Sequence, residues 1–293
     1  MISSVLHQPV LREMVIELLA PVQNGVYVDA TVGLGGHSGD IITMIGAGGR
    51  LIGIDRDEEA LREAGERLSD NRVILRKGSF ADMENLLLDE SISEVDGILF
   101  DLGVSMMQLK NLERGFSFAS DKRLDMRMDR EQRLSAWEMV NRYPERELER
   151  IVREFGEERL SRKIAKAIAW QRDKKAINTC AELSEIVETV YGGRGRVHPA
   201  TKTFQALRIA VNSEIEQLQA GLQAALRLLK KGGRLCVIAY HSLEDRIVKR
   251  FIAEHSKSGQ FRILTKKPVT ASPEELRGNP SSRSAKLRAA ERI

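Results

Sequence analysis

Five apolar, strand-like runs and the gaps between them restrict what this chain can fold into more than any other feature. Residues 27–31, 50–55, 73–77 and 95–102 follow one another with room for one helix in each gap, and a fifth run, 233–240, comes much later. Strands alternating with helical segments predict a mainly parallel sheet covered by helices on both faces. The gaps read accordingly. Residues 38–45 form a helix after the first strand. Residues 57–68 form another after the second, with Asp57 as N-cap and Glu58 and Glu59 in its first turn, where acids favour the helix dipole.

After Asp101 the alternation stops, and no strand-like run returns until Arg234, too long an interval for one crossover. Residues 134–190 instead read as several helices, with apolar positions at helical spacing in WEMVNRYPERELERIVREFG, ERLSRKIAKAIAWQRD and AELSEIVETVY. A Gly- and Arg-rich loop, YGGRGRVHP at 191–199, follows. From Ala200 a single long helix is expected, carrying Phe204, Leu207, Val211, Ile215, Leu218, Leu222 and Leu226 on one face and ended by Gly232 and Gly233. A helix over 244–254 and two closing strands, 260–265 and 286–293, complete the chain. The expected organisation is an α/β core of residues 1–110 and 200–293, interrupted by a helical insertion at 111–199.

Charge gives the insertion a purpose. Residues 106–204 carry 21 Lys and Arg against 16 Asp and Glu, residues 256–293 carry 9 against 3, and the rest of a chain with formal charge +4 is acidic. A basic surface on an acidic body suits a partner whose phosphates must be neutralised, although the closely alternating acids and bases of the middle block read equally as solvated helix faces laced with i,i+4 ion pairs. Apolar runs fall short of the roughly 20 residues a bilayer span requires, and the first residues lack the pattern of a secretory signal. A cytoplasmic protein with no membrane partner is therefore expected. Cys180 and Cys236, the two cysteines, show no metal-ligand spacing and are expected as two buried thiols; no metal is expected.

The chemistry is concentrated at strand ends. VYVDATVGLGGHSG places Gly33, Gly35 and Gly36 after a strand and before a helix, where glycines permit positive φ and close approach of backbone amides to a ligand. Asp55 ends the next strand, about where a carboxylate accepts ribose hydroxyls. Together they point to an adenosine-containing cofactor. The spacing of Gly33, Gly35 and Gly39 is wider than G-x-G-x-x-G, which weighs against NAD. Asp101 ends the fourth strand on the same rim, and Phe80, just after the third, is placed either to face an adenine or to fill the core.

GLGGH at 33–37, DLGVS at 101–105, RGFSF at 114–118, LDMRMD at 124–129, ATKTFQALRI at 200–209 and YHSLEDRIVKRF at 240–251 closely resemble one known family. It is that of the small-subunit ribosomal RNA cytosine-N4 methyltransferases called RsmH or MraW. The likeness runs from about His7 to the C-terminal GNPSSRSAKLRAAERI. It implies a class I S-adenosylmethionine (SAM)-dependent fold, Rossmann-like, with an antiparallel C-terminal strand and a helical insertion that recognises RNA. It also implies methylation of a cytosine N4 in the decoding region of 16S ribosomal RNA in the small ribosomal subunit. Its cofactor contacts correspond to Gly35, Gly36, His37, Asp55, Phe80, Asp101 and Gln108. Met106 and Met107 depart from the Ser-Pro that many members have after DLGVS, and the segment 268–280 is shorter than in some relatives. A homodimer is compatible with the sequence.

Cytosine's amine is a poor nucleophile, so a group accepting an N4 proton is needed. Asp101 and the pair His241 and Ser242 are the candidates, with His241 equally placed to be structural. Arg114, Arg123, Arg127, Arg194, Arg196 and Lys202 are candidate phosphate contacts, although LDMRMD reads equally as a packed turn. Two rival readings are an NAD-dependent oxidoreductase and a non-catalytic RNA-binding assembly factor.

Overall fold

The computed structural model describes residues 8–193 and 197–293. It divides into two compact units, one formed by Met1–Gly103 with Ile215–Ile293 and the other by Val104–Glu214.

The first unit is built on a seven-stranded sheet: β1 (Val26–Asp29), β2 (Arg50–Asp55), β3 (Val73–Lys77), β4 (Val95–Asp101), β5 (Leu229–Ala239), β6 (Phe261–Ile263) and β7 (Lys286–Arg292). Their order is β3-β2-β1-β4-β5-β7-β6. The pairs from β3 through β5 are parallel, and β7 is antiparallel to both β5 and β6. This is the α/β, class I SAM-dependent architecture that the resemblance implies. Alternate side chains enter opposite cores. Val28, Ile52, Ile98, Phe100, Leu235 and Val237 pack in one cluster with the helix Glu214–Leu228, while Tyr27, Leu51, Leu99, Cys236 and Ile238 pack in another with the helices Arg12–Leu19 and Gly36–Met44. Helices on both faces explain why these strands read as nearly continuous apolar runs. Strand order reverses between β1 and β4, which makes the crevice at their carboxyl ends the expected ligand position of an open parallel sheet.

β2 and β3 have the bounds read from the sequence. β5 does not. It starts at Leu229, and because Val95 pairs with Leu229 while Gly97 pairs with Arg234, residues 230–233 leave the ladder as an irregularity. Gly232 and Gly233 therefore lie within a strand rather than ending a helix.

The second unit contains the helices Ala136–Arg142, Glu145–Gly156, Ser161–Lys174, Cys180–Tyr191 and Thr201–Asn212 around its own core, which includes Leu148, Ile151, Ile164, Ile168, Leu183 and Phe204. It is larger than the expected insertion of 111–199. The long helix expected from Ala200 is the reason: it is two helices, Thr201–Asn212 and Glu214–Leu228, separated by Ser213 in the left-handed conformation at φ 51°. Phe204, Leu207 and Val211 serve the helical core, whereas Leu218, Leu222 and Leu226 serve the sheet. One uninterrupted apolar stripe thus belongs to two cores. Cys180 and Cys236 are free, buried thiols, and burial pushes both up to about 12. Among the described residues no helix is long and apolar enough to cross a membrane.

Candidate active site

Three neighbouring strands end in carboxylates: Asp29 on β1, Asp55 on β2 and Asp101 on β4. The glycine turn after β1 orders Asp55. Gly33 and Gly35 have φ of 50° and 75°, values that side-chain-bearing residues rarely adopt. Gly35 also lacks room, since a Cβ there would come within 2.7 Å of Leu68, and at Gly36 one would come within 2.8 Å of Pro9. The turn lets the Gly33 N–H donate to Asp55 Oδ2 at 2.9 Å, while the Asp57 N–H donates to Oδ1 at 2.9 Å. Both oxygens of Asp55 are thereby fixed in direction. Asp57 itself caps the next helix by accepting from Glu59 N, as its position in the sequence predicts.

Asp29 is buried, accepting from Ser38 Oγ at 2.7 Å and from Thr31 N at 3.3 Å. Asp101 lies at the switch point, its N–H donating to Thr31 Oγ1 at 2.7 Å. Tyr240 Oη donates to its Oδ1 at 2.8 Å, and His37 Nε2 stands 3.8 Å from Oδ2, beyond hydrogen-bond distance. Burial raises all three acids, Asp29 and Asp55 to about 6 and Asp101 to about 7. For Asp101, the Tyr240 hydroxyl opposes that rise, while the charges of Asp29 and Glu244 add to it. With 26% of its side-chain surface accessible, Asp101 can still meet a ligand.

This donor set discriminates between cofactors. Ribose hydroxyls, an ammonium and a sulfonium all complement carboxylates, whereas a dinucleotide's pyrophosphate would meet Asp55 and Asp101 on the rim, with the buried Asp29 behind them. The Gly33 amide, moreover, is already given to Asp55. The geometry fits SAM and disfavours NAD.

His241 and Ser242 open the helix Ser242–Lys257. His241 is its N-cap: Nδ1 accepts from Glu244 N at 3.4 Å, and Nε2 lies 3.1 Å from Glu244 Oε1. Glu244 in turn accepts from the backbone N–H of Tyr240 and of His241. The ring is thus engaged with Glu244 at both nitrogens, and Ser242 is exposed at the first turn. Phe80 meets Phe100 edge to face, with 5.4 Å between ring centroids, and lies against Gly221, where a Cβ would approach its ring to 2.7 Å. It is half-buried and contributes to the core. Sequence reasoning missed Asp29 and Tyr240. Asp29 was detectable, since VYVD ends a strand on an acid just as LIGID and GILFD do. Tyr240 was not, because its partner is 139 residues away.

The other expected residues belong to the helical unit. Gln108 is buried and forms a capping box with Ser105, accepting from Ser105 N at 3.0 Å while its own N–H donates to Ser105 Oγ. This cap starts the helix Met106–Lys110, so Met106 and Met107 lie in an ordered first turn. Arg114 is a correction. At 2% exposure, with its guanidinium donating to the carbonyls of Arg127 and Met128, it holds the fold together and is closed to a phosphate. Arg127 is likewise committed, paired through two bonds to Asp125 and donating to the carbonyls of Arg130 and Gln132. LDMRMD is the packed turn. Arg123 is exposed, 5.7 Å from the Trp137 ring centroid, with Arg142 at 5.3 Å. Lys202 is exposed and donates to the Glu157 carbonyl. Arg194 and Arg196 lie outside the described residues.

A family model described as the MraW methylase family matches residues 4–293. A ribosomal RNA small subunit methyltransferase H from Persephonella marina is 50% identical over 98% of this chain and 99% of that protein. A protein of the same name from Caldicellulosiruptor saccharolyticus is 46% identical over 98% and 99%.

Proposed function

The chain belongs to the MraW methylase family, and from that premise we propose that it moves the methyl group of SAM to the exocyclic N4 of a cytosine in the decoding region of 16S ribosomal RNA in the small ribosomal subunit. The relatives' names support the class of RNA. The observation that carries the chemistry is Asp101, an accessible carboxylate raised to about 7 at the switch point of the sheet. A general base is most effective with a pKa near the working pH.

Asp55, held by the Gly33 and Asp57 amides, would accept from the ribose hydroxyls, with Gly33, Gly35, Gly36 and His37 supplying the adjoining turn and Phe80 available to the adenine. SAM, when bound, supplies an electrophilic methyl on a positively charged sulfur. The protein's part is to align the cytosine amine with that methyl and exclude water. An amine that gains a methyl group becomes cationic and must lose a proton. Asp101 takes it. Tyr240 orients the carboxylate and supports its charged form. His241, at the cap of the neighbouring helix, positions Tyr240 through Glu244. A cytosine within structured RNA must be splayed out to reach this rim, and the helical unit, with Arg123, Arg194, Arg196 and Lys202, contacts the surrounding RNA. Such work takes place in the cytoplasm.

The test is incorporation of tritiated methyl from SAM into small ribosomal subunits or their RNA. Label in RNA that is lost in the Asp101→Asn variant, with SAM binding retained, is the expected result. Unlabelled RNA would refute the enzymatic reading.

A further inference from the structure

The helix Ser161–Lys174 buries Ile164, Ala165 and Ile168 in the helical core and turns its other side to solvent. On that side Lys163, Lys166, Trp170 and Lys174 recur at intervals of three and four residues, and all four are exposed. Such spacing aligns them in one stripe, about 16 Å long at the rise of an α-helix. The helix contains a single acid, Asp173. None of the three lysines forms an ion pair with a described residue.

The helix Glu145–Gly156 in the same unit shows what an ordinary solvated face looks like. There Arg150 pairs with Glu147 and Glu154, and Arg153 with Glu149 and Glu154, so charge is cancelled locally. On Ser161–Lys174 it is left uncancelled. Trp170 departs further from an ordinary surface. It is 60% exposed, lies outside the hydrophobic cores, and carries the Lys174 ammonium 3.1 Å from its ring centroid. A large aromatic ring held in solvent between cations has the composition of a platform for single-stranded nucleic acid, which combines phosphate contacts with base stacking.

We propose that the stripe Lys163, Lys166, Trp170 and Lys174 is a docking surface for RNA, the lysines meeting backbone phosphates and the indole stacking on an unpaired base. The proposal rests on the RNA-methyltransferase reading and adds to it a surface outside the catalytic rim. Charge complementarity calls for a polyanion, and the helix's lack of a free apolar face selects RNA over an anionic membrane. A helix lying in a membrane interface needs an apolar face to bury, and the apolar face of this one is already spent on the core.

Two variants of the full-length protein test it: Lys163→Gln/Lys166→Gln/Lys174→Gln and Trp170→Leu. All four side chains are exposed, so both variants should keep the parent's circular dichroism and SAM affinity. Binding to a transcript of small-subunit ribosomal RNA is followed across a range of salt concentrations, and methylation kinetics are measured on the same RNA. The triple variant should flatten the slope of log affinity against log salt by about two to three, because each phosphate contact contributes roughly 0.7–0.9. Its KM for RNA should rise at least about tenfold at unchanged kcat. Trp170→Leu should weaken binding severalfold and leave the salt slope alone, since stacking releases no counterions. Unchanged slope and KM in the triple variant would overturn the proposal. So would variants that lose only the binding of phosphatidylserine vesicles while binding RNA as the parent does. Failure of the methyltransferase reading is distinguishable: the parent would then label no RNA, whereas the binding arm would still report on the stripe.

Discussion

At the scale of single residues, the active rim concentrates groups that cost the fold stability. Asp101 has a folded pKa of about 7 against an ordinary value of 3.8, so between those values the folded state holds the proton more tightly than the unfolded state. Stability contributed by this group therefore falls as pH rises from about 4 to about 7, and the full penalty remains above that. Asp101→Asn should accordingly raise the unfolding free energy at pH 8 by an amount on the order of 1–3 kcal/mol, seen as a higher melting temperature, and progressively less towards pH 5. A variant no more stable than the parent at pH 8 would show that the carboxylate is not under strain. Tyr240→Phe removes the hydroxyl that supports the charged form, so the acidic limb of kcat/KM against pH should move to higher pH by up to about one unit. An unmoved limb would remove Tyr240 from the mechanism. The glycine turn offers a paired comparison. Gly33→Ala meets only left-handed strain, about 1–2 kcal/mol, as its nearest neighbour would be 3.8 Å away. Gly35→Ala adds the collision with Leu68. SAM titration and thermal melts should find Gly35→Ala the more damaging of the two, and equal effects would contradict the packing described here.

At the scale of elements, legibility followed how local the determining interaction is. β2, β3 and the Asp57 cap were readable because period, strand ends and capping residues all lie within a few positions. The break at Ser213 was not, because Val211, Ile215 and Leu218 continue the helical period across it; what ends the first helix is a change of core. Ser213 is left-handed without being glycine. Ser213→Gly should therefore leave stability equal or raise it by up to about 1 kcal/mol, while Ser213→Val should lower it by about 1–2 kcal/mol. Denaturant titration reads both. A valine without cost would mean that the two helices can merge. Arg114 and Arg127 teach the same lesson for charge. In the sequence Arg114 is indistinguishable from a surface arginine and Arg127 reads either way, and only the carbonyls and carboxylate they meet in the folded unit take them out of the candidate interface. Asp55 and Asp101, by contrast, stood out because a strand followed by an acid marks the functional rim of a parallel sheet wherever the chain later goes.

At the scale of the whole molecule, a sheet unit carrying three strand-end carboxylates is joined in one chain to a helical unit with its own core and cationic aromatic sites. The acidic rim suits a cationic cofactor, and the basic segments suit RNA. The central claim is that these parts combine to methylate the N4 of a cytosine in small-subunit ribosomal RNA. It is tested most directly by treating that RNA with the protein and SAM, digesting it, and locating the added methyl by mass spectrometry of fragments and nucleosides. The account predicts N4-methylated cytidine at a site in the decoding region, present with the parent protein and lost with Asp101→Asn. A methyl group on another atom or another base, or RNA that gains none, would contradict it.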